Sequence, residues 1–152
     1  MRNSLIFKIT TGIAALITLA ATIIMIINWP QIPDQIPTHF GFNGEADAYG
    51  GKGTLIFFDI LAWALLIGMS IMSKYPNTWN FPVKVTEYNK ARLYFLGRAL
   101  LEITKLFMVI LFAMIIIGIS LSSTIPQALV MVMVAAILII SAVFIILMRK
   151  CK

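Results

Sequence analysis

The chain has 152 residues, of which 61% are hydrophobic and 12% are charged, and its mean hydropathy is +0.97. A soluble domain is nearer to half apolar and a quarter charged, so this composition leaves too little polar surface to cover a water-soluble globule. The formal net charge is +6, but the basic residues are grouped by position along the chain. That grouping indicates membrane topology and attraction to anionic lipid, and it excludes a nucleic-acid partner.

Four apolar runs are long enough to cross a bilayer, which takes about 20 apolar residues. A backbone in lipid must satisfy its own hydrogen bonds, and none of the runs alternates as a barrel strand does. Each run is therefore predicted to be a transmembrane helix, at residues 6–29, 54–73, 100–122 and 127–148. The predicted fold class is an all-α integral membrane protein, with 1–152 forming a single membrane domain.

The first run is predicted to be a retained helix, not a cleaved signal peptide. Arg2 and Lys8 resemble the basic start of a signal peptide, but the apolar stretch after Lys8 is too long and no small-residue cleavage site follows it. The prolines from Pro30 onward disfavour helix. The first helix is therefore expected to end near Trp29.

Residues 30–53 form a loop that contains the only His and three of the six acidic residues. Its prolines and glycines, with the turn signal Asn43-Gly44, predict an ordered loop and not a free linker. The candidate binding residues are His39, Asn43, Glu45, Asp47, Tyr49 and Lys52.

Asp59 stands about a turn and a half inside the second predicted helix. A carboxylate at that depth usually faces the bundle interior or a wet cavity. Two interpretations stay open. Asp59 either belongs to a polar site under the outer loop, reached by Lys52 or His39, or is an interfacial carboxylate that helps to seat the loop.

Residues 74–99 are predicted to contain an amphipathic helix, starting at about Val83, that lies at the membrane interface and leads into the third span. Three oppositely charged pairs have helical spacing: Glu87 and Lys90, Arg98 and Glu102, and Glu102 and Lys105. The charges are either simply solvated or form a docking surface for a cytoplasmic protein. Glu102 and Lys105 would also suit a polar gate, although no inverted repeat or interrupted helix supports a transporter.

The third and fourth spans are separated only by residues 123–126, which predicts an antiparallel helical hairpin with Pro126 in the first turn of the fourth helix. The single Cys, Cys151, can form no internal disulfide. It is interpreted as an inert terminal thiol, with palmitoylation of a juxtamembrane Cys as the alternative.

The distribution of Lys and Arg predicts the orientation. These residues occur at both termini and within 74–99, whereas the loop 30–53 has only Lys52 and the turn 123–126 has none. Positive residues collect on the cytoplasmic side. Both termini and 74–99 are therefore predicted to be inside, and the loop 30–53 outside.

No catalytic residue is assigned with confidence, and the candidates are His39, Asp47 and Asp59, as an acid/base group at the outer interface. The same residues, together with Glu45, are candidate ligands for a divalent metal. The candidates are weak, because the predicted outer side of the protein has one His, no Cys and no H-E-x-x-H spacing. The chain has no G-x-S-x-G motif, and Gly50-Gly51-Lys52-Gly53-Thr54 lacks a complete phosphate-loop pattern. No cofactor is predicted.

Two stretches carry a family resemblance: Ile36-Pro37, Thr38-His39-Phe40, Gly44-Glu45, Asp47, Tyr49-Gly50 and Lys52, and then Asn80 to Glu87 with Asn89, Tyr94 and Arg98. They resemble the bacterial membrane family called domain of unknown function 1648. That domain stands alone in small proteins and forms the N-terminal part of SdpI-type immunity proteins. The resemblance implies a bacterial cytoplasmic membrane location.

SdpI-type proteins protect the producing cell from a secreted toxic peptide and hold a transcriptional repressor at the membrane. With 152 residues, the chain is expected to be too short to contain the additional C-terminal spans of that longer form, so the role is carried over as analogy alone. The favoured hypothesis is a non-enzymatic binding, sensor or immunity-like protein whose outer loop contacts a peptide or envelope component. The alternatives are a membrane enzyme with a His/Asp site at the outer interface, and an accessory subunit of a larger membrane complex.

Overall fold

The computed structural model describes residues 2–41, 45–122 and 127–151. Four helices in this part of the chain are long and apolar enough to cross a membrane, which confirms a mostly helical, multi-pass membrane protein. Helix α1 spans Arg2–Asn28, α2 spans Gly53–Met72, α3 spans Lys90–Ser120 and α4 spans Gln127–Arg149. The predicted turns at Asn43-Gly44 and at 123–126, including Pro126, lie outside the described residues.

Helix α3 is the central helix of the bundle, because it packs against α1, α2 and α4. Near its start, the Arg98 Nε donates a 2.7 Å hydrogen bond to the Ser73 carbonyl after α2, and its guanidinium lies 5.3 Å from the Phe7 ring centroid on α1. The Asn89 amide donates a 2.8 Å bond to the Cys151 carbonyl after α4. These contacts bring the start of α1, the end of α2, the start of α3 and the end of α4 to one end of the bundle.

We call this end the basic end, because it carries Lys74, Lys84, Lys90, Arg92, Arg98, Arg149 and Lys150. Helix α4 packs on the outside of the bundle, and no residue in its most apolar stretch is buried by the rest of the described chain. Since α4 is apolar all round, its outer face suits lipid or another protein.

The all-α prediction is wrong in one segment. Two strands, β1 at Gln35–Phe40 and β2 at Ala46–Gly51, pair as an antiparallel hairpin within the predicted outer loop. The strands are rich in Pro, Ala, Asp and Gly, which have low strand propensity, so the sequence pattern does not reveal them.

The hairpin is held by packing at its base. Ile32 and Ile36 are 3% and 1% exposed, and they join a core cluster with Leu55 of α2, Met25 of α1 and Ile116 of α3. An isolated two-stranded hairpin is marginally stable in water. Burial of these isoleucines against three helices therefore supplies the stability that strand pairing alone lacks.

The separate amphipathic helix predicted before the third span is absent. Residues 83–89 form bends and turns, and α3 runs without a break from Lys90. The Asn89 side chain explains the difference, because it accepts a 2.8 Å bond from the Thr86 amide and donates a 3.0 Å bond to the Lys84 carbonyl. Such side-chain bonds compete with helical hydrogen bonding and hold a turn.

Cys151 is buried at 5% exposure, in a cluster with Leu93 and Met148. Its thiol donates a 3.3 Å bond to the Leu147 carbonyl. A packed thiol of this kind is not presented for acylation, so the structure favours the inert-thiol interpretation of Cys151.

Candidate functional site

The approach to the hairpin is set by the end of α1. The helix ends at Asn28, the 3-10 turn Trp29–Gln31 contains a proline near its start, and the chain is extended from Ile32. Proline cannot continue a helix, so the chain turns here and leaves the bundle axis. At the far side of the hairpin, the Lys52 amide donates a 2.9 Å bond to the Asp34 carbonyl, which closes the base.

His39 and Asp47 come together near the tip of the hairpin. The Nδ1 of His39 lies 2.5 Å from Oδ1 of Asp47, and their side chains are 69% and 53% exposed. A carboxylate only accepts hydrogen bonds, so His39 donates to Asp47 from Nδ1 and this bond leaves Nε2 as its other ring nitrogen for a further partner. At this exposure the pair contributes little stability. It does fix the orientation of the His39 ring.

Of the other candidate binding residues, Tyr49 is 61% exposed on β2, opposite Pro37 in the register. The Glu45 carbonyl accepts a 2.9 Å bond from the Gly41 amide at the start of β2. Asn43 lies outside the described residues.

Lys52 has a structural position at the base of the hairpin. Its Nζ lies 2.9 Å from the Asp34 carboxylate and 5.6 Å from the centroid of the Trp29 ring. An ion pair and a cation–π contact together fasten β2 to the end of α1. Lys52 is therefore directed along the hairpin base and not toward Asp59.

Asp59 lies in the helix interface, separate from the hairpin pair. It is 8% exposed, and its Oδ1 accepts a 2.7 Å bond from the Thr22 hydroxyl of α1. The Trp63 indole donates a 3.0 Å bond to the same hydroxyl. Buried polar groups need such partners, so this chain of bonds ties α2 to α1.

Among the described residues, no group of three or more His, Cys, Asp and Glu side chains is placed to hold a metal ion. His39 and Asp47 are paired with each other, whereas Asp59 is engaged by Thr22. The three residues proposed as an acid/base or metal group therefore do not form one cluster.

A second polar site lies inside the bundle at the basic end. Glu102 and Lys105 of α3 form a 2.7 Å ion pair, and their side chains are 5% and 1% exposed. The Lys105 ammonium also donates a 2.7 Å bond to the Thr11 hydroxyl and lies 3.4 Å from the Ser70 hydroxyl. The Thr10 hydroxyl donates a 2.7 Å bond to Glu102. The pair thus joins α1, α2 and α3 through a buried polar network.

The helical spacing of Glu102 and Lys105 predicts this ion pair, but not its surroundings. The spacing also allows Arg98 to pair with Glu102, whereas Arg98 is directed to the Ser73 carbonyl. One available signal was the apolar sequence after residue 99, since charges inside such a run face the protein interior. The hydroxyl partners on α1 and α2 have no comparable sequence signal.

The chain is similar to a family that carries no assigned activity. A family model described as a domain of unknown function (DUF1648) matches residues 16–65, which confirms the predicted resemblance. The matched segment includes the whole hairpin and the Thr22–Asp59 contact, and it ends before the Glu102–Lys105 pair. The link to SdpI-type immunity proteins stays a prediction.

The chain is also similar to an uncharacterised protein of Archaeoglobus fulgidus, with 29% identity over 75 residues. The match covers 44% of this chain and 41% of that protein, so the chain spans less than half of the relative's length. No solved structure matches the chain significantly.

Proposed function

We propose that this multi-pass membrane protein is a non-enzymatic sensor that binds an extended peptide along strand β2 of its hairpin. The observation that carries the proposal is the outer edge of β2. Within the described residues the sheet has two strands, so β2 is paired on one side only. Its other edge offers backbone N–H and C=O groups to an added strand.

Strand β2 is a better docking edge than β1. Pro37 in β1 has no backbone N–H, and the register shifts on both sides of His39. Strand β2 has no proline, and Asp47, Ala48 and Tyr49 are exposed along it. An exposed tyrosine beside a free strand edge also provides a side-chain contact of the kind enriched at interfaces.

The charge of the hairpin region favours a cationic peptide. Its carboxylates are those of Asp34, Glu45 and Asp47, and its only Lys is Lys52. Because complementary charge raises the rate of encounter and selects the partner, a Lys- or Arg-bearing strand fits this edge better than an acidic one.

The packing of the hairpin base supports a sensor role. Ile36 lies in β1 and also in the core cluster that joins α1, α2 and α3. A peptide that orders β2 would therefore bias how these helices pack. We infer that the hairpin lies outside a bacterial cytoplasmic membrane, with residues 74–99 inside to report to a cytoplasmic protein, because Lys and Arg collect at the basic end.

The proposal is tested by peptide binding to the full chain in phosphatidylcholine nanodiscs. The probe is an octapeptide of alternating Lys and Val, and its matched control has the same sequence with the inner backbone amides N-methylated. Each backbone hydrogen bond contributes about 0.5–1.5 kcal/mol, so loss of two or more predicts at least about fivefold weaker binding of the control. Equal affinity for the two peptides, or no affinity for the probe, would refute strand addition.

A pair of variants distinguishes the effect of a carboxylate in the hairpin from the effect of the net charge of the protein. Asp47→Asn is expected to weaken probe binding by about two- to fivefold, as removal of an exposed ionic contact usually does. Glu87→Gln makes the same charge change at the basic end, where Glu87 is 90% exposed. It should leave binding unchanged, and an equal loss in both variants would mean that only net charge matters.

The His39–Asp47 pair favours a second candidate, a membrane hydrolase in which Asp47 orients His39 as a general base. Incubation of the probe peptide with the protein, followed by mass spectrometry, distinguishes the two. Intact peptide supports binding without turnover. Cleavage that is lost in His39→Ala supports the enzyme.

A further inference from the structure

A lipid-facing cavity lies at the basic end, far from the hairpin in the fold. It has a volume of about 330 Å³ and lies between the end of α2, the first third of α3 and the last turns of α4, beneath residues 79–82. Its lining includes Leu100, Leu101 and Ile145, and it is mostly apolar. Met72 and Ile145 of the lining are 53% and 43% exposed on the outer surface of the bundle, so the cavity is open to the side that a bilayer covers.

Trp79 lines this cavity and has an unsatisfied polar atom. Its Nε1 is buried, with no hydrogen-bond partner among the described residues. Buried indole N–H groups usually find an acceptor, because an unpaired buried donor has lost its hydrogen bond to water without replacement. The ring itself is firmly placed, because it is tilted against the Phe81 ring with the centroids 6.2 Å apart and packs over Gly97. Trp79 therefore lines the cavity with its ring, and its indole N–H is a donor without an acceptor among the described residues.

A basic groove adjoins the cavity. It is lined by Pro82, Val83, Ile146, Arg149 and Lys150 and has a volume of about 620 Å³. Pro82 lines both spaces, and α4 contributes neighbouring residues to each, Met148 to the cavity and Arg149 to the groove. An apolar slot and a pair of cations thus meet at the membrane interface.

We propose that this composite site binds an anionic phospholipid. One acyl chain lies in the apolar cavity beside the Trp79 ring, and the phosphate lies near Arg149 and Lys150. The chemistry matches each part, since basic pockets at the ends of transmembrane helices bind anionic head groups and apolar slots bind chains. The proposal does not depend on the function of the hairpin.

The first test measures lipid selectivity by native mass spectrometry of the full chain, taken from vesicles with equal parts of phosphatidylglycerol and phosphatidylcholine. The wild type is expected to retain phosphatidylglycerol preferentially. In the variant with Arg149→Gln and Lys150→Gln, the preference should fall by up to about thirtyfold, since each basic residue near an anionic surface contributes about fivefold. The matched control, Lys74→Gln with Arg92→Gln, makes the same charge change away from both spaces and should keep the preference.

Equal losses in the two double variants would show diffuse attraction to net charge and would overturn the site. Unchanged selectivity in the Arg149 and Lys150 variant would do the same. Millimolar inorganic phosphate should not displace the bound lipid, because the acyl chain supplies much of the binding. Displacement by phosphate would show an anion site without a lipid.

A second measurement reads lipid contact in the wild-type cavity, and uses Trp79→Phe only to identify the Trp79 signal. The emission of Trp79 is the part of the wild-type fluorescence that is missing in Trp79→Phe. Phosphatidylglycerol brominated on its acyl chains should quench this emission more strongly than brominated phosphatidylcholine does at the same mole fraction. Equal quenching by the two lipids would mean that Trp79 contacts bulk bilayer only. This result would overturn the proposal even if the charge variants behaved as expected.

Discussion

Removal of one partner of the buried ion pair should destabilise the bundle far more than removal of both. Lys105→Met leaves the Glu102 carboxylate at 5% exposure, with the Thr10 hydroxyl as its remaining hydrogen-bond donor among the described residues. Glu102→Met leaves the Lys105 ammonium with hydroxyl partners only, at 2.7 and 3.4 Å. An unpaired buried charge costs about 3–5 kcal/mol, which is the expected loss of unfolding free energy for each single variant.

The double variant, Glu102→Met with Lys105→Met, should lie within about 1 kcal/mol of the wild type. The hydroxyls it leaves behind have helical partners, since Thr10 and Thr11 reach the Phe7 carbonyl at 3.0 and 2.9 Å. Ser70 likewise donates to the Leu66 carbonyl at 2.6 Å. The double variant therefore leaves none of these three hydroxyls without a partner.

The assay is equilibrium unfolding in detergent micelles, followed by circular dichroism and analysed as a double-mutant cycle. The coupling energy should exceed about 3 kcal/mol, because both single losses are recovered in the double variant. The pair Glu87–Lys90 is the matched control, with the same spacing but a distance of 3.7 Å and exposures of 90% and 46%. Its coupling should be below about 1 kcal/mol. Similar small couplings for the two pairs would refute the reasoning.

Two glycine substitutions test close packing at the two ends of the molecule. A Cβ at Gly50 would lie 2.8 Å from the Thr38 methyl group, so Gly50→Ala should speed amide exchange in the hairpin. Gly51→Ala is the matched control. Its Cβ would have its nearest contact at 4.0 Å, so it should change the exchange less. A Cβ at Gly97 would lie 2.9 Å from the Trp79 ring, so Gly97→Ala should shift the tryptophan emission spectrum and lower the melting temperature. An unshifted spectrum would contradict the packing of that ring.

The membrane helices could be predicted because lipid leaves few alternatives for a long apolar run. The second helix was predicted at 54–73 and spans Gly53–Met72. The residue at which α3 starts could not be predicted from the sequence, because charged residues among apolar ones are compatible with both an interfacial helix and a turn. The bonds from Asn89 to Thr86 and Lys84 decide the matter, and they exist only in the folded loop.

The candidate site was predictable in part. The loop that contains the only His was correctly expected to be the place where polar side chains gather. The pairing of His39 with Asp47, however, follows from a strand register, and the composition of the strands does not predict that register. Asp59 was grouped with them because its position near the start of the second predicted helix places it under the outer loop. The helix instead directs it to Thr22 of α1, a contact that depends on the packing of two helices and has no local signal.

The most direct test of the proposed function is hydrogen–deuterium exchange of the full chain in phosphatidylcholine nanodiscs, with and without the alternating Lys and Val octapeptide. Amide groups on the free edge of an antiparallel strand exchange until another strand pairs with them. Strand addition predicts that the peptide slows exchange within β2, at 46–51, with a smaller effect or none in the turns 73–89 at the basic end. Bound peptide that leaves the exchange of β2 unchanged would contradict the account.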